Sequence, residues 1–323
     1  MDQGQGLVVL FGGTGVIGRE LARSAQTRGA SVLSISLDSD HESPTYTNRF
    51  LDLASAPSGA VTRLIQRHCG DALQVSMMVD VVGLGTRQID EVSDYAASTG
   101  AGLALISSSL LYRPRADGIY DDTAETVGSD DPALFPYQKL KLAQEEALSK
   151  RTDVDWRIFR TNHVIGRGGL LGCIPDHNRD RTLLDRIARG APLRLARKGD
   201  IRLSFIHARD LAEGLLQLSS VVSTTQKVLN LVHPVPAQAA EYFSLLAQHL
   251  GAPEPIIEEH QPEQGSFWTL TAADKILISS RAELEQVRFQ FDLSAALSDA
   301  LQIDPERYAS LGTFMAQRIK SPG

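Results

Sequence analysis

The chain has 323 residues, with 32 Lys or Arg against 39 Asp or Glu, so its formal net charge is −7. This acidic balance argues against the basic face that a nucleic-acid-binding protein needs, so we expect no nucleic-acid partner. No apolar run approaches the ~18 residues of a membrane span, and the N-terminus lacks the basic region of a secretory signal. We therefore expect a cytoplasmic protein with no membrane attachment. Its two cysteines, Cys69 and Cys173, lack metal-ligand spacing, which predicts reduced thiols and no metal site.

Strand-like and helix-like segments alternate through the first half of the chain. The predicted strands are 7–11, 31–37, 49–53, 74–82 and 103–107, and the predicted helices are 16–28, 61–68 and 89–98. This order predicts an α/β fold in which a doubly wound parallel sheet carries helices on both faces.

The second half of the chain is more mixed. Predicted helices cover 138–150, 182–189, 208–219 and 239–250, and a predicted strand covers 156–159. We expect residues 251–267, rich in Pro, Glu and Gln, to form an exposed connection. The acid-rich loop 113–135 is expected at the surface, and its position just before Tyr137 makes it a candidate rim of an active site.

A glycine-rich segment joins the first predicted strand to the first predicted helix. Gly12 would allow a tight turn, Gly15 would let the backbone approach a pyrophosphate, and Gly18 would let the helix pack closely. The helix N-terminus adds free N–H groups and a positive dipole end. Strand, turn and helix occur in the required order, so the segment predicts a dinucleotide site. The candidate contacts are Gly12, Thr14, Gly15, Val16, Ile17 and Gly18.

The end of the second strand bears on the choice between NAD and NADP. Asp38 lies 20 residues past Gly18, where an acid could bind the adenosine ribose, and no Lys or Arg accompanies it. An Arg would pair with the 2′-phosphate of NADP, so this pattern favours NAD, although Ser36 holds the position where the acid is expected. Asp52 and Leu53, after the third strand, are candidate contacts for the adenine, with helix capping as the alternative role of Asp52.

A serine-rich strand end precedes a Tyr/Lys pair. Ser107, Ser108 and Ser109 close the strand, and Tyr137 and Lys141 are spaced i, i+4, so they share a helix face. A lysine ammonium beside a phenol stabilises the phenolate, and a serine hydroxyl can hold a substrate oxygen. Together these groups predict a proton shuttle for a carbinol whose hydride passes to nicotinamide.

These motifs resemble those of the short-chain dehydrogenases/reductases, and more narrowly the extended, NAD-dependent epimerase/dehydratase type. The segments that carry the resemblance are 12–18, 107–112, Tyr137 with Lys141, 160–166 and 205–210. The resemblance implies a Rossmann-type core over residues 1–160 and a smaller C-terminal α/β substrate lobe over 161–323, from which residues 200–235 return to the core. It also implies a homodimer and a small-molecule substrate such as a nucleotide sugar.

The resemblance also implies roles for single residues. Ser108 takes the role of the catalytic serine, with Ser109 as the runner-up, beside Tyr137 and Lys141. Further cofactor contacts would come from Gly83, Thr161, Tyr137 and Lys141, and substrate contacts from Ser109, Asn162, His163 and Arg202.

Four departures from the family pattern bear on the reaction and its substrate. Ser109 and Leu110 stand where the dehydratases have an Asp-Glu pair, which argues against a sugar 4,6-dehydratase and, for lack of the Glu, against a decarboxylase. The segment after the fourth strand is shorter than usual. His163 replaces a substrate-binding Asn, and it would either bind or protonate substrate or be structural. Near Arg202 the family often has an Arg that binds a nucleotide diphosphate, and Arg202 is one position out of register with it. Other residues that could take this role are Arg181, Arg186 and Arg194.

Three functions remain open at this point. The first is an NAD(P)-dependent epimerase or oxidoreductase that moves a hydride at a carbinol or keto carbon of a nucleotide sugar or a similar metabolite. The second is an NADPH-dependent ketoreductase of a non-sugar molecule. The third is a non-catalytic dinucleotide-binding scaffold or sensor, which the short loop and the altered Asn position favour slightly.

Overall fold

A computed structural model describes residues 6–70, 73–168, 182–219, 227–260, 273–279 and 287–302. Cys173, Arg181 and the second part of the predicted connection, 261–267, lie outside the described residues. Cys69 is a buried free thiol. Across the described ranges, we find no helix that is both long and apolar enough to cross a bilayer.

Short strands and helices alternate along the whole described chain. The strands are β1 (Leu7–Phe11), β2 (Ser31–Ser36), β3 (His41–Glu42), β4 (Thr47–Phe50), β5 (Val75–Asp80), β6 (Gly102–Ser108), β7 (Ile119–Tyr120), β8 (Trp156–Thr161), β9 (His163–Ile165), β10 (Leu193–Leu195), β11 (Arg202–Leu203), β12 (Phe205–His207), β13 (Val228–Asn230), β14 (Ala237–Gln238), β15 (Ile257–Glu259) and β16 (Ile276–Leu277). The α-helices are α1 (Val16–Thr27), α2 (Ala60–Cys69), α3 (Thr86–Thr99), α4 (Pro136–Ser149), α5 (Leu183–Ala188), α6 (Ala208–Ser219), α7 (Ala239–Leu250) and α8 (Leu293–Ala300).

The main sheet has the strand order β13-β8-β6-β5-β1-β2-β4-β3. Its neighbouring strands run parallel except for the short edge pair of β3 and β4, which is antiparallel. The chain runs outward from β1 in one direction and then resumes on its other side with β5. This reversal of strand order confirms the predicted doubly wound α/β fold, and it creates a crevice at the carboxyl ends of β1 and β5.

Both faces of the sheet are covered by helices because successive side chains of β1 point to opposite sides. Leu7, Val9 and Phe11 pack into a core with α2 and α3, and Val8 and Leu10 pack into a second core with α1 and α6. A third core joins α5, α7 and α8 away from the sheet. Helix α6 lies against α1, and β13 pairs with β8 in the sheet.

Two local expectations differ from the structure. The strand predicted at 49–53 is found at Thr47–Phe50. The sequence pattern misplaced it because the buried Asn48 is polar and accepts hydrogen bonds from Ser34 and Ser36, so apolar residues do not mark the strand. The connection predicted at 251–267 contains β15, which pairs with β10.

Candidate active site

The carboxyl ends of β1, β5, β6 and β8, four neighbouring strands, bring several of the predicted site residues to one edge of the sheet. Phe11 at the end of β1 is in register with Asp80 at the end of β5, so the turns that follow these strands are adjacent. On the other side of β5, Ser108 of β6 pairs with Thr161 of β8. This edge is where ligands bind in open parallel sheets.

The glycine turn after β1 is closed on two sides and open on a third. Gly12 has a φ of +92°, and a Cβ there would lie 2.2 Å from a methyl carbon of Val82. A Cβ on Gly18 would lie 2.2 Å from the carbonyl oxygen of Gly12, so α1 packs directly on the turn. A Cβ on Gly15 would meet nothing closer than 3.5 Å. The turn therefore has the shape that a close backbone approach to a phosphate requires.

Helix α1 begins directly after Gly15, the middle glycine of this turn. Its first backbone hydrogen bond runs from Arg19 to Gly15, so the preceding N–H groups have no partner within the helix. Arg19 also donates to the carbonyl of Thr14 at 2.7 Å and to that of Arg167 at 2.8 Å. The partly buried Thr14, Val16 and Ile17 line this helix start.

The end of β2 offers a polar edge. Asp38 is exposed just after β2, and its backbone N–H donates to the hydroxyl of Ser36 at 3.1 Å. Asp52 accepts from the backbone of Ala54 and from the hydroxyl of Ser55, so its carboxylate caps its own turn. Leu53 is buried in the core, and only its backbone carbonyl is used, by Gln88.

Asp80 fixes the short turn after β5, a role that the sequence analysis did not assign. Its fully buried carboxylate accepts three backbone hydrogen bonds, from Val82, Gly83 and Leu84, at 2.9 to 3.1 Å. It also accepts from Gln144 of α4 at 2.6 Å. An acid at a strand end, followed closely by glycine, is a common turn signal and could have indicated this role.

The three catalytic candidates lie on β6 and α4. Lys141 is 3% exposed and donates to the carbonyl of Ile106 at 2.7 Å. A Cβ on Gly83 would lie 3.6 Å from its ammonium nitrogen, so Lys141 adjoins the turn after β5. Tyr137 is 43% exposed at the start of α4. The hydroxyl of Ser108 accepts from the backbone of Leu110, which orients it at the end of β6.

A further residue of α4, Gln138, holds the first turn of this helix against the end of β6. Gln138 donates to the carbonyl of Leu110 at 2.7 Å and accepts from the backbone of Phe135 at 3.1 Å. Because Gln138 follows Tyr137 directly, these bonds fix the place of the tyrosine relative to the strand end.

Farther along α4, Glu145 joins the helix to two strands. It pairs with Arg160 of β8 through two hydrogen bonds of 2.5 and 3.1 Å, and Ser107 of β6 donates to it. Both members of the ion pair are 7% exposed, so the contact is desolvated and specific in geometry.

The substrate candidates occupy two different settings. Ser109 is fully buried, and its hydroxyl has no partner among the described residues. Asn162 and His163 are partly buried, and Asn162 donates to the carbonyl of Lys275 at 3.5 Å. Arg202 is exposed and forms an ion pair at 3.1 Å with Asp274, a carboxylate that it shares with Arg197.

Burial and the nearby charge of Lys275 lower the pKa of His163 to about 4. The imidazole is therefore neutral at neutral pH, where it can contact a substrate as a neutral donor or acceptor. It cannot supply a proton from an imidazolium there.

The residues at this edge fit a dinucleotide. The open side of Gly15 leaves room for a pyrophosphate at the start of α1. The hydroxyl of Thr161 is buried and lacks a hydrogen-bond partner among the described residues, so it can bond to a group placed beside Ser108.

A family model for the NAD dependent epimerase/dehydratase family matches residues 8–231. The chain belongs to this family. Membership confirms the predicted dependence on NAD and the short-chain dehydrogenase/reductase type of enzyme, and it decides against a non-catalytic scaffold.

Similar proteins are consistent with this membership. The chain is 24% identical over 275 residues, 79% of this chain and 83% of the relative, to dTDP-6-deoxy-L-talose 4-dehydrogenase (NAD(P)(+)) of Kitasatospora kifunensis. The structure of the Bordetella bronchiseptica enzyme WbmH in complex with NAD+ matches with a TM-score of 0.69 at 18% identity, covering 92% of this chain and 97% of that chain. The structure of WbmG from the same organism, in complex with NAD and UDP, has a TM-score of 0.69 at 18% identity and covers 97% of both chains.

Proposed function

We propose that the protein interconverts two epimers of a nucleotide sugar by transferring a hydride at carbon 4 of the sugar. This proposal is supported by the position of Ser108 at the end of β6 and of Tyr137 and Lys141 on α4, at the carboxyl edge of the sheet that also carries the glycine turn. The named 4-dehydrogenase relative supports the choice of carbon 4, and the relative crystallised with UDP supports a nucleotide-linked substrate.

Each of the three residues has a distinct task in this reaction. NAD, when bound, supplies the hydride acceptor. Ser108 would hold the substrate oxygen, Tyr137 in its phenolate form would take the proton of the carbinol, and Lys141 would stabilise that phenolate before the proton is transferred. The buried position of Lys141 strengthens that stabilisation because few waters screen its charge.

The residues after Ser108 separate this reaction from elimination. Ser109 and Leu110 provide no carboxylate, and the described part of α4 places Gln138, rather than an acid, against that turn. Loss of water from the sugar would need an acid and a base there, so we infer that the ring keeps its hydroxyl groups.

Net reduction of a 4-keto sugar is the second candidate, because the curated relative is a 4-dehydrogenase. The two reactions differ in how they use the cofactor. An epimerase returns the hydride to the opposite face and shows no net change in nicotinamide absorbance, whereas a reductase consumes one NAD(P)H for each product.

A substitution of Tyr137 tests the proposed chemistry. UDP- and dTDP-hexoses are incubated with NAD-loaded protein, and the sugar protons are followed by NMR together with nicotinamide absorbance. We expect Tyr137→Phe to lower turnover by about a hundredfold or more while binding of NADH changes little, because only the proton acceptor is lost. Turnover by the variant at the wild-type rate would contradict the role of Tyr137.

A lysine that is distant from the cleft provides the matched control. Lys150, just after α4, is exposed, so Lys150→Met should leave turnover unchanged. Wild-type protein that binds NADH but neither binds nor converts any of these sugars would overturn the proposed function.

A further inference from the structure

The chain segment that includes Lys275 places the buried ammonium of this residue beside the serine-rich end of β6. The backbone of Lys275 forms hydrogen bonds with the backbone of Arg202 and of Ser204, and the strand that follows, β16, pairs with β7. The Lys275 residue is 7% exposed, and its ammonium donates to the carbonyl of Ser109 at 3.3 Å. Lys275 therefore points to the residue next to Ser108.

Lys275 has no carboxylate partner among the described residues. The neighbouring Asp274 is bonded to Arg197 and Arg202 instead. Besides Ser109, the ammonium faces the ring of Tyr120 at 5.0 Å, and its charge acts on the neutral His163. An ammonium has three N–H donors, and a carbonyl and a ring face satisfy them poorly.

A buried cation of this kind is costly unless an anion joins it. Burial lowers the pKa of Lys275 to about 8, so the ammonium form still predominates at neutral pH. The hydroxyl of Ser109, also without a partner among the described residues, adds a second unused donor at the same place. A carboxylate would accept from both donors, whereas a sugar hydroxyl would leave the charge unbalanced.

We propose that Lys275 and the hydroxyl of Ser109 form a subsite for a carboxylate on the sugar ring, so that the substrate is a nucleotide-linked uronic acid. This inference rests on the proposed function. The subsite adjoins Ser108, which would hold the reacting oxygen on carbon 4. In a hexuronic acid the carboxylate is attached to carbon 5, next to that carbon, whereas the diphosphate is attached across the ring at the anomeric carbon.

Calorimetric titrations of the NAD-loaded protein test this assignment. The probes are the glucuronic acid and glucose forms of UDP and of dTDP, together with free UDP and free dTDP. We expect the wild type to bind a glucuronic acid form at least about tenfold more tightly than the matching glucose form. Lys275→Met should remove this preference by weakening only the uronic acid, and Ser109→Ala should reduce it by about threefold.

The control variant Lys150→Met makes the same change of charge at the surface and should keep the preference. Unchanged NADH affinity shows that each variant is folded. Equal binding of the two sugars by the wild type, or a Lys275→Met variant that weakens free nucleotide and both sugars alike, would overturn the carboxylate subsite.

These outcomes are distinct from failure of the proposed function. If glucose forms bind and are converted but uronic acids bind no better, the nucleotide-sugar reaction stands and the subsite is wrong. If no nucleotide sugar binds to NADH-competent protein, the proposed function fails and this inference fails with it.

Discussion

Lys275 should lower the stability of the free protein. The fall of its pKa from 10.5 to about 8 on folding corresponds to about 3 kcal/mol. The unfolded chain holds this proton more tightly, so the penalty is full below about pH 8 and disappears as the pH rises towards 10.5.

We therefore expect Lys275→Met to stabilise the protein by up to about 3 kcal/mol near pH 7, and by much less near pH 10. Urea unfolding of both proteins at the two pH values measures this difference. A loss of stability near pH 7, or the same gain at both pH values, would show that burial of the ammonium is not the cause.

His163 illustrates how much of the site the sequence could predict. Its position after Asn162 indicated a place near the substrate, and β9 carries it to that edge of the sheet. Its pKa is lowered first by burial and then by the charge of Lys275, which is far away in the chain and meets it only in the folded structure. A motif could therefore suggest His163 as a contact, but its protonation state requires the three-dimensional neighbours.

At the scale of elements, two glycines of the turn after β1 have different roles: Gly18 permits close packing of α1, and Gly15 leaves space for a ligand. A methyl group on Gly18 would collide with backbone atoms of Gly12 and Gly13, which cannot move away without displacing α1. A methyl group on Gly15 meets only ordinary contacts within the protein.

We expect Gly18→Ala to destabilise the fold by about 1–3 kcal/mol. Gly15→Ala should leave the melting temperature nearly unchanged but weaken NADH by about tenfold, because its methyl group occupies the place of the pyrophosphate. Thermal unfolding and nicotinamide fluorescence measure the two effects. Equal loss of stability in both variants would contradict this division.

The ion pair between Glu145 and Arg160 docks α4 onto the sheet. Glu145→Gln leaves a buried guanidinium without its counter-charge, so we expect a loss of about 3–5 kcal/mol. Replacing both residues with Leu and Met should restore most of that loss, because no unpaired charge remains. Urea unfolding measures both, and a double variant as unstable as the single one would contradict the argument.

Local patterns predicted the long elements better than the short ones. The predicted bounds of α6 and α7 agree with the structure because each helix has a clear apolar stripe. The paired strands β7 and β16 escaped prediction, since each has two residues and depends on a partner distant in the chain. The bounds of β4 differ from the predicted ones because Asn48 is buried through hydrogen bonds rather than through apolar contact.

For the whole molecule, Asn230 joins the sheet to two distant segments. This fully buried residue of β13 donates to the carbonyls of Tyr120 and Ile278 at 3.0 and 2.9 Å and accepts from the hydroxyl of Tyr112 at 2.7 Å. Its backbone N–H donates to Asp122. Most acids of the loop 113–135 are expected at the surface, but Asp122 is buried in this network.

Asn230→Ala would leave several buried groups without partners, so we expect a loss of about 2–4 kcal/mol and faster proteolysis around residues 113–135 and 273–279. Urea unfolding and limited proteolysis with mass spectrometry measure these effects. The exposed Gln248 provides a matched control, since Gln248→Ala should change stability by no more than about 0.5 kcal/mol. An unchanged cleavage pattern would show that other contacts hold these segments.

The carboxylate of Asp80 gives the turn after β5 its shape through internal hydrogen bonds alone. This turn packs against the glycine turn through Val82 and Gly12, and the N–H groups of Val82, Gly83 and Leu84 are bonded within the protein itself. Because the turn after β5 is already ordered in the free protein, binding of a ligand there avoids the entropy cost of ordering this segment. We therefore expect that ligand binding in this part of the crevice requires no rearrangement of the turn after β5.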